Sequence, residues 1–171
     1  MVNRSIKLPI GAHNFFLFGP RQTGKTTLIK SLLENSNTFT INLLLNDQYF
    51  KYKTNISLFR KEVEYFMMRN KKGIIFIDEI QKLPELLGEI HNLIETYKQN
   101  ITFILTGSSP RKLKKASANL LGARAWDYYL YPFTHLELGN SFSLNFVLRF
   151  GSLPPIIGLS EEDIIRTLKA Y

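Results

Sequence analysis

One stretch constrains this chain more than any other: Asn14 to Leu33, NFFLFGPRQTGKTTLIKSLL. Four apolar residues, Phe15 to Phe18, run into Gly19-Pro-Arg-Gln-Thr-Gly24-Lys25-Thr26. A helical pattern follows, with Leu28, Ile29, Leu32 and Leu33 on one face. The order strand, G-x-x-x-x-G-K-[ST], helix is that of a phosphate-binding loop. Glycines at 19 and 24 let the backbone wrap an anion with its N–H groups turned inward. The start of the next helix adds the positive end of its dipole. The expected phosphate contacts are Gly19, Pro20, Arg21, Gln22, Thr23, Gly24, Lys25, Thr26 and Thr27. Lys25 would meet the β- and γ-phosphates as a point charge, and the Thr26 hydroxyl would be a ligand for Mg²⁺. A chance surface loop with two glycines and a lysine is the competing reading. The strand before it and the helix after it speak against that.

A second constellation fits the first. Ile74-Ile-Phe-Ile77 is a continuous apolar run of the kind a buried parallel strand shows, and it ends in Asp78-Glu79. Acids at that strand tip face the carboxyl edge of the sheet, where ligands bind in open α/β folds. Asp78 is then the Mg²⁺ carboxylate and Glu79 the general base for water. A base beside the metal carboxylate favours hydrolysis over phosphoryl transfer to another acceptor, which must exclude water. A pair of solvated acids at a turn is the alternative.

The remaining elements alternate. Thr38–Leu44 reads as a second strand, Asn46 to Asn55 as a polar loop studded with aromatics, and the chain from Ile56 as a helix with Ile56, Phe59, Val63 and Phe66 on one face, closed by Lys71-Lys72-Gly73. Pro84 opens a helix with Leu86, Leu87, Ile90, Leu93, Ile94 and Tyr97 as its apolar stripe. Ile101–Leu105 is a strand ending in Thr106-Gly-Ser-Ser109. A basic helix over Arg111 to Leu121 follows, then a fifth strand over Trp126–Tyr131. Short helices are expected at Thr134–Leu138 and Ser141–Phe150, and a last one after a Ser160/Asp163 capping pair. Strands and helices in alternation predict an α/β fold with a mostly parallel sheet.

Other residues carry weaker signals. A hydroxyl of Thr106, Ser108 or Ser109 could orient water or sense a γ-phosphate, or simply form a turn. Arg124, in Gly122-Ala-Arg-Ala, is the best candidate for a charge-stabilising arginine, against the reading of a surface arginine before a strand. Arg69, Lys71 and Lys72, with Arg111, Lys112, Lys114 and Lys115, are either contacts for nucleic-acid phosphates or solvated faces. His13, His91 and His135 lack metal-ligand spacing. A net charge of +8 favours anionic partners without choosing among them. The absence of cysteine excludes disulfides and suits a cytoplasmic setting, and no segment has the length of apolar sequence a membrane helix needs.

Five segments in series resemble a known family: GPRQTGKTTL, IIFIDEIQKLP, FILTGSSPRKLKK, LLGARAWDYYLYPFTHLEL and FGSLPPI. The chain is similar to the ATPase core of prokaryotic AAA-type ATP-binding proteins, a branch of the P-loop NTPases, from about residue 8 onward. The resemblance implies a three-layer αβα sandwich with a five-stranded parallel sheet in the order 5-1-4-3-2. It implies ATP and Mg²⁺ as ligands, Asp78-Glu79 as the Walker B pair, a sensor region at TGSS and Arg124 as the motif arginine. In related ATPases such an arginine can come from a neighbouring subunit, so a homo-oligomer and slow turnover of the isolated chain are expected. Proteins of this kind carry a further C-terminal domain. Residues 1–135 are thus expected to form the ATPase core, and 136–171 a helical extension at the start of a longer region.

The function expected on these grounds is Mg²⁺-dependent ATP hydrolysis coupled to a partner. Two alternatives stand beside it: a nucleotide-gated binding switch that turns over rarely, and a DNA-associated motor or nuclease subunit. ATP is preferred to GTP because no guanine-reading N-K-x-D motif is evident.

Overall fold

The computed structural model of the chain describes residues 2–108, 113 and 121–170. Its centre is a sheet of five strands: β1 (Phe15–Phe18), β2 (Thr38–Asn42), β3 (Gly73–Asp78), β4 (Ile101–Gly107) and β5 (Trp126–Tyr129). The order across the sheet is β2-β3-β4-β1-β5, with every pairing parallel. This is the expected order 5-1-4-3-2 read from the other edge.

Side chains along a strand alternate between faces, and the core divides accordingly. Phe16, Phe18, Ile75, Ile77, Phe103 and Leu105 point to one face. There they meet Phe59, Val63 and Met67 of α3 (Ile56–Met68) and the buried stripe of α4 (Leu86–Tyr97). Phe15, Leu17, Phe76 and Ile104 point to the other face, onto Ile29 and Leu33 of α1 (Lys25–Leu33). Ile6, Leu8 and Ile10 of the N-terminal segment pack on that second face. Three layers result, with the P-loop strand β1 inside the sheet between β4 and the edge strand β5.

The structure corrects several boundaries. The stretch expected to be a loop is helix α2 (Asn46–Thr54). Its polarity conceals an inward face: Tyr52 is buried, lies edge-on to Phe59 and donates to Glu62 Oε2 at 2.7 Å. β2 stops at Asn42 rather than Leu44 because the Asn42 side chain accepts from the Leu44 amide at 2.9 Å, a local turn that ends the ladder. β5 stops at Tyr129 rather than Tyr131 because its one neighbour, β1, ends at the facing Phe18. α4 starts at Leu86, past Pro84, after a 3-10 turn over Ile80–Lys82.

The C-terminal part is a run of short helices. α5 (His135–Leu138) carries a full capping box between Thr134 and Glu137. A 3-10 turn over Gly139–Ser141 leads to α6 (Leu144–Phe150), capped by Ser143 rather than starting at Ser141. α7 (Glu161–Lys169) is capped by Ser160, whose Oγ accepts from the Asp163 amide at 3.3 Å. Arg4 ties the N-terminal segment to this region: it forms an ion pair with Glu137 at 3.4 Å, donates to the Tyr131 carbonyl and lies over the Phe133 ring.

Candidate active site

The loop between β1 and α1 has its shape for local reasons. Gly19 has φ 155°, and a Cβ there would lie 2.0 Å from the Leu130 carbonyl oxygen, so the residue that follows β5 leaves room for hydrogen only. Gly24, with φ 88° and ψ 21°, caps α1 without any side-chain acceptor, and the first-turn amides are left for an anion. Gln22 also takes a left-handed conformation at φ 60°. The buried Thr23 hydroxyl donates to the Pro20 carbonyl at 3.0 Å and closes the loop on itself.

Lys25 starts the helix and turns back across the loop. It is only 5% exposed, and its Nζ donates to the carbonyls of Gly19 and Pro20, each at 2.8 Å. Burial lowers the pKa of this ammonium, opposed by the nearby carboxylates of Glu79 and then Asp78. The lysine therefore sits within the field of both acids.

One residue on, the Thr26 hydroxyl donates to both oxygens of Asp78, at 3.0 and 2.9 Å. Asp78 is buried and also accepts from the Thr106 hydroxyl at 2.5 Å. The Thr106 oxygen accepts in turn from the Glu79 amide at 3.3 Å. These bonds lock the tips of β3 and β4 and the start of α1 together. Glu79 itself has φ 61°, uncommon for a residue with a side chain, at the junction of β3 and the Ile80–Lys82 turn. Its carboxylate accepts from Gln81 Nε2, which also donates to Ser108 Oγ at 3.2 Å.

The structure thus brings Lys25, Thr26, Asp78, Glu79 and Ser108 together at the carboxyl edge of the sheet. Arg124 is elsewhere. It precedes β5 at the opposite edge, where its carbonyl accepts from the Asn14 side chain and its guanidinium pairs with Glu95. About 13 Å of strand, at about 3.3 Å per residue, separates that edge from the P-loop of the same chain. The hydrogen bond and charge of Arg124 hold the Glu95 carboxyl below its usual value. Exposed Arg69, Lys71 and Lys72 also lie toward this amino edge, Arg69 stacked over Tyr65. Ser109 and the cations at 111, 112, 114 and 115 fall outside the described residues. His13 stacks on Trp126, and His135 meets Phe142 edge-on.

Two features were missed from the sequence. One is Gln81, whose signal was a polar residue two positions after Glu79. The other is a cavity of about 320 Å³ beside α1, lined by Val2, Arg4, Ile6, Gly24, Thr27, Leu28 and Phe133 among others. Arg4 is one of its lining residues, and its Nε is buried with no hydrogen-bond partner among the described residues. No periodicity announces a cavity built from segments some 130 positions apart.

The family described as an AAA domain matches residues 12–139 of this chain. Uncharacterized proteins of Mycobacterium bovis and Mycobacterium tuberculosis are each 26% identical to it over 147 residues, which is 86% of this chain. The same alignment spans 31% of each relative, so the chain covers less than a third of their length. Among the described residues, no helix is long and apolar enough to cross a membrane.

Proposed function

The chain belongs to the AAA domain family, and from that premise we propose that it binds ATP with Mg²⁺ and hydrolyses it, its turnover completed by a second copy of the chain. The observation that carries the reading is the direct bond from Thr26 to Asp78, which joins the P-loop helix to the acidic strand tip beside Lys25. An isolated anion loop would not need that acid.

The backbone N–H groups between Gly19 and Thr27, which Pro20 lacks, would cradle the phosphates, and Lys25 would give up its loop carbonyls for phosphate oxygens. Thr26 and Asp78 would hold Mg²⁺. They are hard oxygen donors side by side, the class this ion takes when phosphates and water complete its shell. Bound there, the ion neutralises charge on the phosphate oxygens. Glu79 would take the proton of the attacking water, and Ser108 would report on the γ-phosphate. The cavity next to Gly24 and Leu28 suits the nucleobase, with apolar walls that include Ile6, Leu28 and Phe133.

Arg124 cannot serve its own nucleotide from the opposite edge of the sheet. We assign it to the site of a neighbouring copy, where a guanidinium stabilises charge in the transition state. Residues 1–135 then act as the ATPase core and 136–171 as its helical extension. The test is nucleotide binding and phosphate release with and without Mg²⁺, over a range of protein concentration. Magnesium-dependent release that rises with concentration is expected. Tight binding with no release at any concentration refutes the hydrolytic reading and leaves the nucleotide switch. Release that increases only when DNA is added would favour the DNA-associated reading.

A further inference from the structure

The polar side chain beside the proposed base has a bonding pattern that calls for a role. Gln81 Nε2 donates to Glu79 Oε2 and, at 3.2 Å, to Ser108 Oγ. A carboxylate can only accept, so the nitrogen end of the amide is the end that must face Glu79. Both N–H groups are then engaged. The other end, Oε1, is buried and has no hydrogen-bond partner among the described residues. It presses on Gly107, where an added Cβ would lie 2.8 Å away. A buried amide oxygen left unpaired is destabilising. A leucine or methionine here would fill the same space without that cost. The amide nitrogen is what the position supplies that an apolar residue cannot.

We propose that Gln81 is a positioning residue for hydrolysis: its amide fixes one oxygen of the Glu79 carboxylate and ties that carboxylate to the Ser108 hydroxyl at the tip of β4. The inference rests on the ATPase reading above. With Oε2 engaged, the other oxygen of Glu79 is left to take the proton of water. The water oxygen forms its bond to the γ-phosphorus as the β–γ bridging bond breaks, the proton passes to Glu79, and ADP departs with the bridging oxygen. Glu79 needs such a guide because its left-handed backbone aims the side chain along a direction no regular element supports. Ser108, sharing the same amide, makes the alignment of the base responsive to whatever the serine touches. A γ-phosphate within reach of Ser108 would thereby be felt at Glu79.

The test is a kinetic cycle in the full chain. Gln81→Met keeps the volume and removes both donors. It should lower kcat about 10- to 100-fold, the range in which misplacing a reactive group falls, and leave the nucleotide Kd and KM unchanged within about twofold. Introduced into Glu79→Gln protein, the same substitution should change kcat less than about twofold, because the group it positions is already inactive. Gln81→Leu, which also lacks a donor and adds no charge, carries the same expectation and serves if the methionine variant does not fold. Full additivity with Glu79→Gln, or a kcat equal to that of the unmodified chain, overturns the assignment and leaves the ATPase reading standing. Absence of any turnover in the unmodified chain, at high concentration with Mg²⁺, overturns the ATPase reading and this inference with it.

Discussion

Replacing either glycine of the P-loop by alanine should destabilise the nucleotide-free chain, and by unequal amounts that the structure sets. At Gly24 a Cβ meets nothing within 4 Å, so Gly24→Ala adds only the strain of a left-handed backbone at φ 88°. That strain is worth about 1–2 kcal/mol. At Gly19 the strain of φ 155° is joined by a collision, since the new Cβ would lie 2.0 Å from the Leu130 carbonyl oxygen. Leu130 cannot step aside. Its side chain is buried with Phe15 and Leu17, and its amide donates to the Phe18 carbonyl at 2.7 Å. Strain of about 1–3 kcal/mol and overpacking of about 1–3 kcal/mol then place Gly19→Ala at about 2–6 kcal/mol. For a chain of this length each kcal/mol moves the melting temperature by about 2–4 °C, so Gly19→Ala should melt at least about 4 °C lower and Gly24→Ala about 2–8 °C lower. The cost at Gly19 should exceed that at Gly24. Melting curves without nucleotide, with urea titrations to confirm an unchanged m-value, give the comparison. Equal losses, or a larger loss at Gly24, would refute the claim that Leu130, just after β5, packs against the loop backbone.

Further expectations concern charge and chemistry at the same site. Lys25→Ala should abolish triphosphate binding with the fold retained, and equal affinity in the two proteins would sink the P-loop assignment. Burial lowers the Lys25 pKa, so between its native value and 10.5 the unfolded chain binds more protons and stability rises with pH. The stability of the unmodified chain relative to Lys25→Ala should therefore grow as pH approaches 10.5 from below, and a decline measured by urea titration contradicts it. Glu79→Gln should bind ATP normally and lose about 10²–10⁴ in turnover. The opposite pattern, with Asp78→Asn in that role, would reverse the two carboxylates. Arg124→Ala should lose about 10³-fold or more in turnover if a neighbour's arginine completes the site. Mixing it with Glu79→Gln protein should restore activity, whereas no rescue places Arg124 outside the reaction.

The parts of this protein that could be read from sequence are those whose physics is local. GPRQTGKT needs only its own glycines, lysine and threonine to announce an anion loop, and Ile74 to Glu79 announces a buried strand with acids at its tip. The strand order followed because the segments as a set resemble a family, which alternation alone does not supply. Helix α2 escaped because its buried face rests on Tyr52 and few other residues, and tyrosine with lysine and asparagine reads as surface. Its helical state is decided by Phe59 and Glu62, in the next helix, which no window over 46–54 contains.

The same distinction separates Gln81 from Glu79. An acid at the end of an apolar strand carries its meaning in its position, but a glutamine two residues later acquires one only when β4 brings Ser108 to within 3.2 Å of it. Arg124 shows the reverse case. Its residue type and neighbours suggested a role at the phosphates, and its strand does lie beside β1. Yet parallel pairing sets Trp126 opposite Phe15 and Tyr129 opposite Phe18, so an arginine before β5 stands at the end of the sheet away from the loop after β1. In a parallel sheet, residues that precede a strand and residues that follow its neighbour are on opposite edges, whatever their chemistry. An arginine so placed is distant from the phosphate loop of its own chain, and the proposal that it serves a phosphate is therefore a proposal about a neighbouring copy.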